Sequence, residues 1–143
     1  MIVVVSFLIS KTRPNGSSGR FSAASDSHVL AHNRIMSMQE IEYLFYLAAE
    51  ETDRLRVTAR KDKGEILEFV VQYETVISGE WRPVVRYDTA HGFAHRDVIR
   101  ANGEVVKQPL FFETFNLAFT FATLDLKMNW RQYREGLEKE LMK

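Results

Sequence analysis

The chain has 143 residues, of which 45% are hydrophobic and 27% are charged, a composition typical of one globular domain and not of a disordered or fibrous protein. Nineteen Lys and Arg balance nineteen Asp and Glu, so no overall field attracts nucleic acid or an anionic membrane. The absence of cysteine excludes disulfides, thiolate nucleophiles and cysteine-ligated zinc. We expect a cytoplasmic protein without a cofactor.

The N-terminal segment, residues 1–35, differs in composition from the rest of the chain. A short apolar run over residues 2–9 is followed by a stretch rich in Gly, Ser, Ala and His. Four basic residues against one acidic residue give residues 1–38 a net charge of +3, so residues 39–143 carry −3. No helical or strand period is visible in the first 35 residues.

This segment has neither of the usual targeting patterns. Its apolar run is far shorter than the roughly 20 residues that span a bilayer, and no Lys or Arg precedes it as in a signal peptide. We therefore expect translation to start at Met36 or Met38, with residues 1–35 a disordered leader or a mis-assigned start and residues 36–143 a single domain. An exported or membrane-tethered form is the alternative.

The domain begins with apolar residues at intervals of three and four. These residues are Met38, Ile41, Leu44, Phe45 and Ala48. Such spacing places side chains on one side of a helix, and it predicts a short helix that runs to about Glu50.

Segments of strand character separated by glycines follow this first element. They cover residues 54–60, 65–77, 81–88, 95–100 and, more briefly, 104–108. Asn102 followed by Gly103 is a strong signal for a two-residue type I′ hairpin turn. Pro83 cannot donate to a ladder, so we expect the third strand to be an edge there or to pair only from Val84 onward. The pattern predicts an antiparallel meander of four or five strands.

The longest of these segments, residues 65–77, alternates between two faces. The predicted core face consists of Leu67, Phe69, Val71, Tyr73, Thr75 and Ile77. The other face carries Glu68, Gln72 and Glu74, which we interpret as a solvated sheet surface unless it borders a site.

A long C-terminal helix is predicted next, with Pro109 in its first turn, where a missing N–H is not needed. Its apolar stripe, spaced by three and four, consists of Phe112, Phe115, Phe119, Ala122, Leu126, Trp130, Tyr133, Leu137 and Leu141. A second apolar face consists of Leu110, Leu117, Phe121, Leu124 and Met128. We expect the first stripe to cover the sheet and the second to pack under the first helix or in a homodimer interface.

These elements predict an α+β fold: an antiparallel meander of four or five strands with the long C-terminal helix packed on one face and a short helix before the sheet.

Residues 86–97 are the candidate site, because eight of these twelve residues are Arg, Tyr, Asp, Thr or His. The turn between two antiparallel strands brings Asp88 close to His95. In metal-independent RNA cleavage, His91 and His95 would act as general base and acid.

The remaining polar residues of the segment suit the same chemistry. Arg86 and Arg96 would bind phosphate, and Tyr87 or Asp88 would orient the imidazole or the substrate.

Two other interpretations remain open for this cluster. Asp88, His91, His95 and Asp97 are hard-oxygen and imidazole ligands that suit Zn, Mn or Fe. Alternatively, the cluster is a hydrogen-bonded network that fixes the loop without any catalysis. We assign no residue as a metal ligand on sequence alone.

The stretch from Glu68 to Leu110, with Trp81–Arg82–Pro83 and then His91, Gly92 and His95, resembles an uncharacterised prokaryotic family of unknown function over about residues 54–140. An Arg, Tyr and Asp at a strand end followed by a His-bearing loop is also similar to the TumE-like toxins of toxin-antitoxin modules. Their loop is longer and richer in His and Pro.

The toxin resemblance implies an RNA substrate, an antitoxin partner and a ribonuclease-like activity. The leading function prediction is therefore a small RNA-directed toxin-like protein that acts through His91 and His95. The competing prediction is a non-enzymatic interaction module, dimeric through the C-terminal helix and without membrane contact, whose polar cluster is structural.

Overall fold

In this computed structural model the described residues are 7–8 and 38–143. They form one antiparallel sheet whose strands lie in chain order, followed by one helix. The elements are β1 (Phe7–Leu8), β2 (Met38–Tyr46), β3 (Asp53–Asp62), β4 (Glu65–Ile77), β5 (Glu80–Asp88), β6 (His95–Ile99), β7 (Val105–Pro109) and α1 (Phe115–Leu141). The predicted α+β meander with a C-terminal helix is confirmed, with six strands between residues 38 and 109. The predictions for the rest of residues 1–35 lie outside the described residues.

The predicted short helix before the sheet is wrong, because residues 38–46 form the strand β2. Ile41, Tyr43 and Phe45 face the core at a spacing of two, and β2 pairs with β3 along its whole length. The segment is also rich in aromatic residues, which suit a half-buried strand. The three-and-four spacing is coincidental, because a short apolar run can fit both the helical period of 3.6 residues and the strand period of two.

The core lies between β3, β4 and β5 on one side and α1 on the other. Its members on β4 are those predicted, except that Leu67 is exposed. The ladder with β3 passes from Glu68 directly to Ile66, so a β-bulge forms at Leu67. Ile66 then packs against the core instead.

Pro83 lies where β5 is an edge, one of the two predicted arrangements. On one side β5 pairs with β6 only from Val85 to Asp88. On the other side, the ladder with β4 passes from Val85 to Pro83, so Val84 forms a bulge. The missing N–H of Pro83 therefore interrupts no ladder with β6.

The turn between β6 and β7 differs from the predicted two-residue type. The amide of Arg100 donates to the carbonyl of Glu104 at 2.8 Å, which closes a loop of three residues. Gly103 alone in this loop has a positive φ, of 88°, as in a type I turn followed by a G1 bulge. Because this loop has one residue more than the predicted turn, the pairing of β6 with β7 shifts by one residue, and Asp97 pairs with Lys107.

The helix begins at Phe115 because Thr114 caps it, its Oγ1 accepting from the Leu117 amide at 3.2 Å. Pro109 instead ends β7, which is an edge of the sheet that the described residues form, so its missing N–H interrupts no ladder among them. The residues of α1 buried against the sheet are Ala118, Ala122, Leu126, Trp130 and Leu137. Phe112 and Leu141, predicted in this stripe, are exposed. No helix among the described residues is long and apolar enough to cross a membrane.

A buried carboxylate joins the sheet to the helix. Asp53 at the start of β3 accepts hydrogen bonds from Tyr73 Oη and Arg134 Nη1, each at 2.6 Å. Because Asp53 is almost fully buried, these charge-assisted bonds fix the C-terminal half of α1 against β3 and β4.

Candidate functional site

The predicted site residues fall on two sides of the sheet. The register of β5 and β6 pairs Tyr87 with Arg96 and Asp88 with His95. Since successive side chains alternate between faces, Tyr87 and Arg96 lie on the side that α1 covers. Asp88 and His95 lie on the opposite side, which we call the open face.

The open face also carries Arg86 and Asp97, which are paired in the same ladder. Of the six predicted site residues, the sheet therefore brings Arg86, Asp88 and His95 to one side. His91 lies in the connecting loop.

On the helix side, Tyr87 and Tyr133 both donate to Oδ2 of Asp125, each at 2.7 Å. Arg96 Nη1 donates to Tyr133 Oη at 3.0 Å. Burial and the Asp125 carboxylate raise the pKa of Tyr87 well above its usual range. Tyr87 and Arg96 thus belong to a bonded network between β5, β6 and α1, and they share no surface with the histidines.

On the open face, His95 and Asp88 bond to each other. Nε2 of His95 lies 3.0 Å from Oδ1 of Asp88, and His95 is only 1% exposed. The same Asp88 oxygen accepts from the Ala90 amide at 2.9 Å, the turn geometry that Asp favours. These contacts hold both ends of the loop over residues 89–94.

Thr89 attaches the start of this loop to β4. Its Oγ1 accepts from the Phe69 amide at 3.0 Å, and its own amide donates to the Phe69 carbonyl at 3.3 Å. Gly92 has a φ of 81°, and its amide donates to the Thr89 carbonyl at 3.0 Å. Glycine is needed there because other residues are strained at that φ.

Lys107 and Asp97 complete the surroundings of His95. Nζ of Lys107 lies 3.2 Å from His95 Nε2 and 3.5 Å from Asp97 Oδ1. Sequence reasoning missed Lys107, because the predicted two-residue turn would have placed Gln108 opposite Asp97. The actual three-residue loop brings the ammonium group to the imidazole.

His91 lies at the surface beside this cluster. Its ring is almost parallel to that of His95, with centroids 5.8 Å apart, and Phe93 contacts both rings. The two histidines are therefore neighbours, although only His91 is open to solvent.

A groove of about 500 Å³ runs beside Asp88 on the open face, between β2 and β5. Its charged lining residues are Glu40, Glu42, Arg60, Glu68, Arg86 and Asp88. Sequence reasoning missed Glu40 and Glu42, because β2 was predicted as a helix. Four carboxylates against two guanidinium groups give the groove a negative charge, which repels phosphate.

A buried glutamate continues the open-face network from the groove. Glu74 accepts from Arg54 at 2.8 Å, from Arg56 at 3.0 Å and from Gln72 at 2.8 Å. Gln72 in turn accepts from Arg86 at 2.8 Å. Burial opposes ionisation of Glu74, but these hydrogen bonds outweigh it and lower the pKa of the carboxyl group. Gln72 and Glu74 are therefore not the solvated surface that the sequence suggested.

Residues 36–143 match DUF7718, a domain of unknown function, and the chain belongs to that family. No curated protein and no solved structure shows a significant match. The family match agrees with the expected domain of unknown function and extends it at both ends. Neither the TumE-like resemblance nor a prokaryotic origin gains support from these comparisons.

Proposed function

We propose that this protein is a non-enzymatic interaction module that forms a homodimer through the outer side of α1. The observation that carries the proposal is a row of large apolar side chains that the other described residues leave exposed. Leu117 is 50% exposed, Phe121 42%, Leu124 53% and Met128 76%. Leu117, Leu124 and Met128 lie on the side of α1 that faces away from the sheet, and Phe121 lies at the edge of that side, with its ring 6.1 Å from that of Tyr87 on β5. With Phe111 and Phe112 we call these four side chains the outer apolar face.

Two rings connect the face across the start of α1. The rings of Phe112 and Phe121 lie 5.2 Å apart, and Phe111, the residue before Phe112, is almost fully exposed. Scattered exposed apolar residues are normal, but a contiguous patch of this kind usually marks an interaction site.

The spacing of the face favours a second helix as its partner. The intervals from Leu117 to Phe121, Leu124 and Met128 are four, three and four residues, which is the seam of two packed helices. We place the two α1 helices antiparallel, with the two-fold axis between Phe121 and Leu124. In this antiparallel dimer Phe121 packs against the partner's Leu124, and Leu117 packs against the partner's Met128.

Two opposite charges near the ends of the face favour a second copy of this chain. Glu113 lies between Phe112 and Leu117, Arg131 follows Met128, and both charged residues are exposed. In the antiparallel dimer, Arg131 comes close to the partner's Glu113, and the two-fold axis forms this contact twice.

The size of the face sets the expected affinity. Each of its six side chains can bury further apolar surface worth about 1 kcal/mol, so the two faces together supply about 12 kcal/mol. Association itself costs about 4–15 kcal/mol. We therefore expect a reversible, concentration-dependent dimer and not an obligate one.

The open face gives the alternative function, an RNA-directed toxin-like protein, less support. His95 is buried and bonded to Asp88, as in a network that fixes a loop. Arg96 lies across the sheet from His95, and the groove that contains Arg86 has an excess of carboxylates. A phosphate at His95 would thus meet Lys107, which already contacts the Asp97 carboxylate at 3.5 Å, but not Arg96.

Sedimentation velocity of the full chain over a range of concentrations tests the proposal. We expect the wild type to shift from one to two chains as the concentration rises, and Leu124→Glu to remain a single chain. Gln39→Glu is the matched control, because it adds the same charge at an exposed position of β2, outside α1. Equal association of all three proteins, or a wild type that stays monomeric at high concentration, would overturn the proposal.

A further inference from the structure

We infer that Asp88, His95 and Asp97 form a binding site for a divalent transition-metal cation on the open face. The site goes beyond the proposed dimer, because it lies on the side of the sheet opposite α1. Among the described residues these three form a group whose ligand atoms all lie within 4.8 Å of one another.

The distances suit one bound cation. His95 Nε2 lies 3.0 Å from Asp88 Oδ1 and 3.7 Å from Asp97 Oδ1. Metal–ligand bonds of about 2.0–2.2 Å at tetrahedral or octahedral angles hold neighbouring ligand atoms about 3.0–3.5 Å apart. Small movements of the side chains are therefore enough to bind the ion.

Two neighbouring groups compete for the same ring nitrogen of His95. Its Nε2 faces an acceptor, Asp88 Oδ1, and a donor, the Lys107 ammonium group. One ring nitrogen cannot donate to the first and accept from the second at the same time. Asp97 Oδ1 is buried and accepts no hydrogen bond from the residues that the structure describes, and its cationic neighbour is the Lys107 ammonium group at 3.5 Å. A cation bound to all three ligand atoms removes both conflicts.

Lys107 shows that the position favours a cation. Its Nζ lies within 3.5 Å of both His95 Nε2 and Asp97 Oδ1. The Lys107 side chain is 46% exposed on the last strand, so it can turn into solvent. The ammonium group is therefore a competitor that a metal ion displaces.

The scaffold around the site is rigid, and its electrostatics favour cations. Asp88 and His95 are directly paired across β5 and β6, and Asp97 lies two residues further on the same face of β6. The carboxylates of the adjoining groove raise the local concentration of cations. One imidazole and two carboxylates suit Zn²⁺, Mn²⁺ or Fe²⁺.

Calorimetric titration of the chelator-treated full chain with Zn²⁺ tests the inference. His28 and His32, outside the described residues, are replaced by Ala in every protein compared so that they cannot bind the ion. We expect one saturable Zn²⁺ per chain. Asp97→Asn should weaken binding by about tenfold or more, because it replaces a carboxylate ligand with a neutral amide. Glu104→Gln, which alters an exposed carboxylate of the neighbouring hairpin, is the control and should leave the affinity unchanged.

Lys107→Met is the most specific variant in this test, because it removes the competing ammonium group. We expect it to tighten Zn²⁺ binding several-fold, and folding of each variant is checked by circular dichroism. Binding that is absent, unaffected by Asp97→Asn, or abolished by His91→Ala alone would overturn the inference. The last result would indicate adventitious binding to a surface histidine.

Discussion

Tyr87 and Asp88 are consecutive residues of β5 whose side chains bond to different layers of the molecule. Tyr87 Oη donates to Asp125 on α1 at 2.7 Å, whereas Asp88 Oδ1 lies 3.0 Å from His95 Nε2 on the open face. The polar cluster is thus two separate networks, one that attaches the helix to the sheet and one that holds the loop over residues 89–94.

The open-face network predicts a clear stability effect. Replacing Asp88 with Ala leaves His95 buried beside Lys107 and also frees the Ala90 amide. We expect the free energy of unfolding to fall by about 3 kcal/mol, as when one partner of a buried pair is removed. Urea denaturation measures the change. His91→Ala, at an exposed neighbouring position, should change it by less than about 0.5 kcal/mol. Equal effects of the two substitutions would contradict this role for Asp88.

Two buried tyrosines on the helix side of the sheet predict alkaline unfolding. Burial and nearby carboxylates raise the pKa of Tyr73 and of Tyr87 above the ordinary value near 10. The folded state therefore holds these protons more tightly than the unfolded chain does. The resulting stabilisation is complete below pH 10 and is lost as the pH rises further, by about 1.4 kcal/mol per pH unit for each tyrosine.

Urea titrations between pH 9 and 11 check this slope. Tyr87→Phe has no hydroxyl proton at that position. Above pH 10 its free energy of unfolding should therefore fall less steeply with pH than that of the wild type, by about 1.4 kcal/mol per pH unit. A variant with the wild-type slope would show that Tyr87 does not retain its proton on folding.

The lowered pKa of Glu74 predicts a loss of stability at acidic pH instead of alkaline pH. Its pKa is lowered despite burial, because Arg56, Arg54 and Gln72 donate to it. A carboxyl group with a lowered pKa stabilises the fold above its unfolded pKa near 4.3, and this contribution is lost as the pH falls. Glu74→Gln should therefore be less stable than the wild type by about 2 kcal/mol at pH 7, and the difference should shrink below about pH 4.

The exposed pair of Arg60 and Glu68, at 3.3 Å, offers a control for this measurement. Glu68→Gln should change the free energy of unfolding by less than about 0.5 kcal/mol at any pH. An equal loss in both variants would show that burial of Glu74 contributes nothing to the effect.

RNA cleavage distinguishes the interaction module from the toxin-like alternative. Because His95 is buried and Arg96 lies across the sheet, we expect the full chain to leave total RNA intact with or without chelator. His91→Ala and His95→Ala are assayed in parallel. Cleavage by the wild type that persists in chelator and disappears in either variant would instead support metal-independent acid and base chemistry.

The strands after residue 50 could be predicted from sequence because glycines and a period of two mark them. β4 was predicted with its observed bounds, Glu65–Ile77. The bulge at Leu67 could not be predicted, because it depends on the register that β3 adopts. At β2, the spacing of Met38, Ile41 and Leu44 fits a helix, and only pairing with β3 decides for a strand.

The candidate site was predicted in part. The proximity of Asp88 and His95 follows from a tight connection between antiparallel strands, and it is confirmed. The separation of Tyr87 from Asp88 also follows from strand alternation, which divides the polar residues of 86–97 between the two faces of the sheet. Lys107 depended on the length of the loop around Gly103, which the Asn–Gly pair alone did not determine.

Cysteine cross-linking is a direct test of self-association through α1, because the natural chain has no cysteine. In the antiparallel dimer, Leu117 faces the partner's Met128, whereas two copies of either residue lie about 16 Å apart along the helix axis. A disulfide needs Cα atoms within about 7 Å. We predict that Leu117→Cys and Met128→Cys chains form a covalent dimer when mixed under mild oxidation, and that neither does so alone. Linkage of like with like, or no linkage in the mixture, would contradict it.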